Sequence, residues 1–113
     1  MGFLVANPIS LKWKVWRIES ALRGLLLAQS VKPLVWSFGA YYIDPKHLVF
    51  VLGVKTDEER DALKSNFAFL NESRELLVRF NWPTAARDKM HFDIESQETV
   101  DRETKGNWWY HYK

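Results

Sequence analysis

His91, Asp93 and Glu95 are the residues of this 113-residue chain whose types and spacing come nearest to chemistry. At alternate positions of an extended segment their side chains share one face. An imidazole and two carboxylates placed so could ligate a metal or relay a proton. The same residues also read as the polar side of a strand whose other side is Met90, Phe92 and Ile94. No second His lies nearby and no H-E-x-x-H pattern occurs, so the polar strand face is favoured and no metal is expected. Asp57, Glu58, Glu59 and Asp61 group four carboxylates, but acids crowd the first turn of a helix because its dipole favours them there. No G-x-S-x-G elbow accompanies any of the 3 His, and the 5 Gly form no phosphate-binding loop. The expectation is a protein without catalytic residues or cofactor.

Lys12, Trp13, Lys14, Trp16 and Arg17 interleave cations with flat rings, the combination that grips the phosphates and stacked bases of a single strand. Nucleic-acid binding through this segment is the alternative function. Against it stand a net charge of only +2 and the lack of any signature of a known nucleic-acid module. The bland reading packs both tryptophans beneath the C-terminal tail. That tail holds a second group, Trp108, Trp109 and Tyr110, of residue types that anchor protein interfaces. If extended, it places Trp108, Tyr110 and Tyr112 on one side and can add as a strand to a sheet edge.

The elements that must position these groups follow from period and punctuation. Asn7-Pro8 reads as an N-cap followed by proline at the first helical position. Leu11, Val15, Ile18, Leu22, Leu25 and Leu26 then mark one face of a helix over about 8–29. Residues 34–43 and 48–55 read as strands joined by a four-residue turn at Asp44-Pro45-Lys46-His47, making an antiparallel hairpin central to a sheet. Thr56 to Glu59 is a capping box opening a helix through Leu63, Phe67 and Leu70, with a break at Asn71. Residues 72–82 read as a further helix, although Leu76, Val78, Phe80 and Trp82 alternate equally well as a strand. After a loop at 83–89 comes the strand bearing His91, then a turn of helix over 97–103 capped by Ser96, with Glu98 spaced to pair with Arg102. The fold class is α+β: an antiparallel sheet with helices packed on one face, in the order α-β-β-α-α-β-(α)-tail, as a single domain over 1–113.

Composition narrows the setting. The chain has no cysteine, which rules out thiolate metal sites and disulfides and fits a reducing cytoplasm. Leu25 to Leu27 is far too short an aliphatic run to span a bilayer, and the apolar start lacks a basic flank, so a soluble cytoplasmic protein without a membrane partner is expected. Charge is uneven: residues 1–55 carry +5 and residues 56–113 carry −3. With 6 Trp, 4 Tyr and 7 Phe, aromatic rings are the chain's most unusual feature.

The segment Phe92-Asp-Ile-Glu-Ser-Gln-Glu-Thr-Val-Asp-Arg-Glu103, followed by Gly106-Asn107-Trp108, resembles small bacterial immunity proteins found beside polymorphic or contact-dependent toxins. The stretch Tyr41 to Leu70, with Thr56-Asp57-Glu58-Glu59-Arg60 at its helix start, is similar to them as well. The resemblance implies a non-enzymatic inhibitor that binds one cognate toxin domain. It points to Asp93, Glu95, Glu98, Asp101 and Glu103 as an acidic partner-binding patch suited to a basic nuclease, with Trp108 and Trp109 beside it. The sequence pI near 8.9 runs against that electrostatic match.

Overall fold

The computed structural model describes residues 8–113. The proposed Asn7 cap lies outside them. Among these residues six α-helices, one short 3₁₀ turn and three strands follow in the order expected, and the class is α+β. Helix α1 spans Pro8–Ala28. Its Leu11, Val15, Ile18, Leu22 and Leu26 are buried, so the stripe read from spacing is the core-facing side.

Strands β1 (Leu34–Phe38) and β2 (Val49–Val54) pair antiparallel, Leu34 opposite Gly53 and Phe38 opposite Val49. Strand β1 stops five residues short of the expected end. Gly39 turns the chain at φ +113°, and a Cβ there would stand 2.0 Å from the His47 carbonyl oxygen. The link between the strands is therefore ten residues long rather than four, ending in the expected turn, where Asp44 accepts from the Lys46 N–H.

Helix α2 (Asp57–Lys64) has its capping box, Thr56 and Glu59 bonding reciprocally. The break expected at Asn71 falls instead at Asn66, whose side chain caps Phe69 N–H and opens α3 (Phe67–Arg79). Residues 72–79 are thus helical, with Ser73, Leu76 and Leu77 buried, and a short α4 (Thr84–Arg87) interrupts the expected loop.

Strand β3 (His91–Ser96) pairs with β2 in parallel, Val54 opposite Ser96. The sheet is mixed, in the order β1-β2-β3, which corrects the antiparallel expectation. Period-two alternation carries no strand direction. Direction is set by the crossover through α2, α3 and α4, which returns the chain to the start of β2.

Helices α1 and α3 cover one face, on Val35, Phe50, Leu52 and Ile94. Trp82, fully buried, adds its indole to this core and donates to the Pro45 carbonyl at 3.3 Å. Helix α5 (Gln97–Thr104) and then α6 (Trp108–His111) follow. The tail is therefore a helical turn rather than a strand. Among the described residues no helix is long and apolar enough to cross a membrane.

Candidate functional site: an aromatic groove on the second face of the sheet

Leu34, Trp36 and Phe38 alternate along β1, and Asp93 and Glu95 alternate along β3, so all five project from the face opposite the core. Helix α6 packs there. Asn107 caps it by accepting from the Tyr110 N–H at 3.0 Å. A helical turn brings i, i+3 and i+4 together, so Trp108, His111 and Tyr112 share the inward side while Trp109 and Tyr110 face out. An extended tail would have grouped Trp108, Tyr110 and Tyr112.

Trp36 receives Trp108 edge to face at 5.0 Å and Tyr112 at 6.0 Å, and Phe38 meets Tyr112 at 5.7 Å. Such pairs contribute about 0.5–1.5 kcal/mol each beyond burial. These rings, with Leu34, Trp109 and Lys113, enclose an open groove of about 550 Å³. Trp109 is 66% exposed, and the Lys113 ammonium lies 4.3 Å from its ring centroid.

Polar bonds beneath the rings fix them. The Trp108 indole donates to Gln97 Oε1 at 2.8 Å, and the Tyr112 hydroxyl donates to Asp93 at 2.5 Å. Burial and the neighbouring Asp93 carboxylate push the Tyr112 phenol far above its ordinary range. Glu95 accepts from Arg60 at 2.8 Å and from the Ser96 N–H, and its second oxygen meets His111 Nε2 at 3.1 Å. His111 Nδ1 lies 3.4 Å from Glu103. Burial alone would raise the Glu95 carboxyl; Arg60, the Ser96 N–H and His111 outweigh it and hold it below the usual range.

The carboxyl ends of parallel strands commonly open onto a ligand crevice. Here that end is closed by two helix starts bonded to each other. Glu98 of α5 accepts from the Asp57 N–H of α2 at 2.8 Å. Asp57 in turn accepts from the Ser96 and Thr99 hydroxyls and from Arg102. Those bonds hold the Asp57 carboxyl well below its ordinary value.

The three candidates of the strand face therefore part company. His91 is exposed and lies outside the hydrogen-bond network, Asp93 serves Tyr112, and Glu95 serves Arg60 and His111. Among the described residues no group of three or more acidic or His side chains could hold a metal ion. Of the acidic patch, Glu98 and Asp101 are exposed but engaged, with the Asp57 N–H and Gln97 respectively; Arg102 pairs with Asp57 rather than with Glu98. Glu103 is exposed beside His111.

On α1, Trp13 and Trp16 are 60% and 56% exposed and touch edge to face at 5.6 Å, flanked by exposed Lys12 and Arg17. They do not lie under the tail, which sits on the second face of the sheet. Lys14 is partly committed, donating to the Asn81 carbonyl at 2.8 Å.

Sequence reasoning missed Trp36, Phe38, Arg60 and His111. A signal for the first two existed: β1 is apolar on both faces, so its second face needed a cover. Comparison with protein-family models, with curated proteins and with solved structures finds no match.

Proposed function

We propose that the protein is a non-enzymatic binding domain of the immunity type, engaging one toxin domain through the groove between β1 and α6. One observation carries the reading: a row of partly exposed aromatic rings, of which Trp108 and Tyr112 are held by partly buried hydrogen bonds and Trp109 lies under the Lys113 ammonium. Interface anchors are enriched in Trp and Tyr, and rigid anchors lose little entropy on binding. Trp109, the most exposed ring of the groove, is the expected anchor, with Trp108 as its support. Asp93 and Glu95 hold the groove from below, while the carboxylates of Glu98, Asp101 and Glu103 lie on the helix beside it. The test is a search of the neighbouring coding sequences for a toxin domain, followed by calorimetry with it; a neighbourhood that encodes none overturns the reading. A 1:1 complex that weakens at least tenfold in Trp109→Ala, with the fold unchanged, supports the reading; a complex indifferent to Trp109→Ala overturns it.

A specific observation also favours a second reading, single-stranded nucleic-acid binding by α1. Trp13 and Trp16 are side by side in solvent with Lys12 and Arg17 next to them. It requires affinity that falls steeply with salt and is lost in Lys12→Ala/Arg17→Ala.

A further inference from the structure

Leu34 is shared by the groove and a second hollow of about 430 Å³, lined also by Lys32, Pro33, Lys55 and Gln97. Its floor is Gly53, where a Cβ would stand 2.9 Å from the Leu34 side chain. Leu34 lies over the space a larger residue would fill and is a wall of both hollows. Their combined lining carries three cationic side chains, Lys32, Lys55 and Lys113, and no Asp or Glu side chain among the described residues. The polar remainder is Gln97, already engaged with Trp108 and Asp101. The chain's excess of acids in residues 56–113 is thus directed elsewhere: Asp93 to Tyr112, Glu95 to Arg60 and Asp57 to the helix starts.

Resting on the protein-binding reading, we propose that this double groove takes a segment of partner polypeptide with an apolar or aromatic centre flanked by Asp or Glu. The aromatic walls desolvate the centre of such a segment, and the lysines meet its flanks. Recognition runs through side chains rather than by strand addition, since the Val35 carbonyl of the edge strand is already taken by Arg23 at 3.0 Å. A second copy of the chain is a poor occupant, because a two-fold contact here sets lysines against lysines.

The six tryptophans supply the readout. Indole N–H resonances of the full chain would be followed by NMR during titration with three synthetic peptides. Each has a Trp-Leu-Trp centre, flanked by Asp, Ser or Lys. The Asp-flanked peptide is expected to shift the Trp36, Trp108 and Trp109 signals and to leave buried Trp82 and distant Trp13 and Trp16 in place. It should bind at least about fivefold more tightly than the Lys-flanked peptide at low salt, the gap narrowing as salt screens the charges. Lys32→Glu/Lys55→Glu, both exposed positions, should abolish that preference.

Equal binding of all three peptides overturns the proposal, as do shifts confined to Trp13 and Trp16. Groove signals that move with protein concentration alone overturn it in favour of self-association. If no peptide binds while the toxin-domain complex forms and still depends on Trp109, the segment chemistry falls and the protein-binding reading stands. If the Asp-flanked peptide binds as expected but no toxin-domain complex forms, the chemistry stands and the inhibitor assignment falls.

Discussion

Trp13 and Trp16 on α1 and Trp108 and Trp109 on α6 are two tryptophan pairs beside cations, held in opposite ways. The first pair rests on the solvent side of a 21-residue helix whose other side makes the core. Its two rings have one another as aromatic neighbours. The second pair sits on a four-residue helical turn that is too short to be stable by itself. Beyond the local Asn107 cap, what orders it is tertiary: Trp36 beneath Trp108, Gln97 on its indole, and Tyr112 and His111 bonded to the two carboxylates of β3. The core-facing side of α1 does not involve its exposed tryptophans, whereas the inward side of α6 is bonded through partly buried contacts. Side chains whose placement depends on a network not needed by the main core are the ones most tied to a use at the surface.

The largest effect that separates the two regions should come from Glu95→Gln. Arg60 and His111, with side chains 19% and 13% exposed, would lose the carboxylate they share. Breaking a fully buried pair costs about 3–5 kcal/mol; solvent access, and the carboxylates that remain to Arg60 (Asp61 at 3.0 Å, Asp57 at 3.4 Å) and to His111 (Glu103 at 3.4 Å), lower that to about 2 kcal/mol here. Urea denaturation measures the loss. In the folded variant the Trp108 and Trp109 indole signals should shift while Trp13 and Trp16 stay in place. Tyr112→Phe comes next. It removes one hydrogen bond to a carboxylate, worth about 1–2 kcal/mol. Its signature is a loosened groove: weaker peptide binding with little change at Trp82.

Acid sharpens the comparison with a smaller change. Asp57 is held below its ordinary pKa by the Ser96 and Thr99 hydroxyls and by Arg102. A carboxyl depressed in the folded state contributes stability that is present above its unfolded value, about 3.9. That contribution is lost as pH falls from there toward the lower folded value. Glu95, also lowered, acts in the same direction. Stability should therefore drop below about pH 4. Asp57→Asn should be less stable at pH 7 and show a flatter decline between pH 4 and 2. A variant with an unchanged acid profile would refute the role assigned to Asp57.

Much of this was legible in the sequence, and the remainder divides by physical cause. The stripe of α1, the Thr56 and Ser96 caps and the apolar side of β3 are local signals, and each is found where its period or spacing puts it. The direction of β3 is not local, since it depends on a 36-residue crossover that alternation does not encode. The sequence reads as breaking at Asn71; the structure has the break at Asn66, where the side-chain cap on the Phe69 N–H lets Phe69 and Ser73 face the core. For the tail, alternating rings and a helical turn compete within six residues. The docking of His111 on Glu95, 16 positions away, decides it. Arg60 and Glu95, 35 positions apart, leave no sequence trace of their pairing.

The smallest expected effect is on α1, and its smallness is informative. Trp13→Ser and Trp16→Ser remove rings already more than half in water, so little apolar burial is lost. What goes is one edge-to-face contact, offset by the release of two bulky side chains on a helix that Leu11, Val15 and Ile18 still anchor. Each variant should stay within about 0.5 kcal/mol of the parent in thermal or urea unfolding. Trp108→Ser should be several times costlier, because Trp36 loses its cover and the indole bond to Gln97 disappears. If the α1 variants prove equally costly, Trp13 and Trp16 belong to the fold and the contrast between the surfaces collapses. If they are neutral and nonetheless abolish salt-sensitive binding of single-stranded DNA, α1 carries a function of its own, independent of the groove.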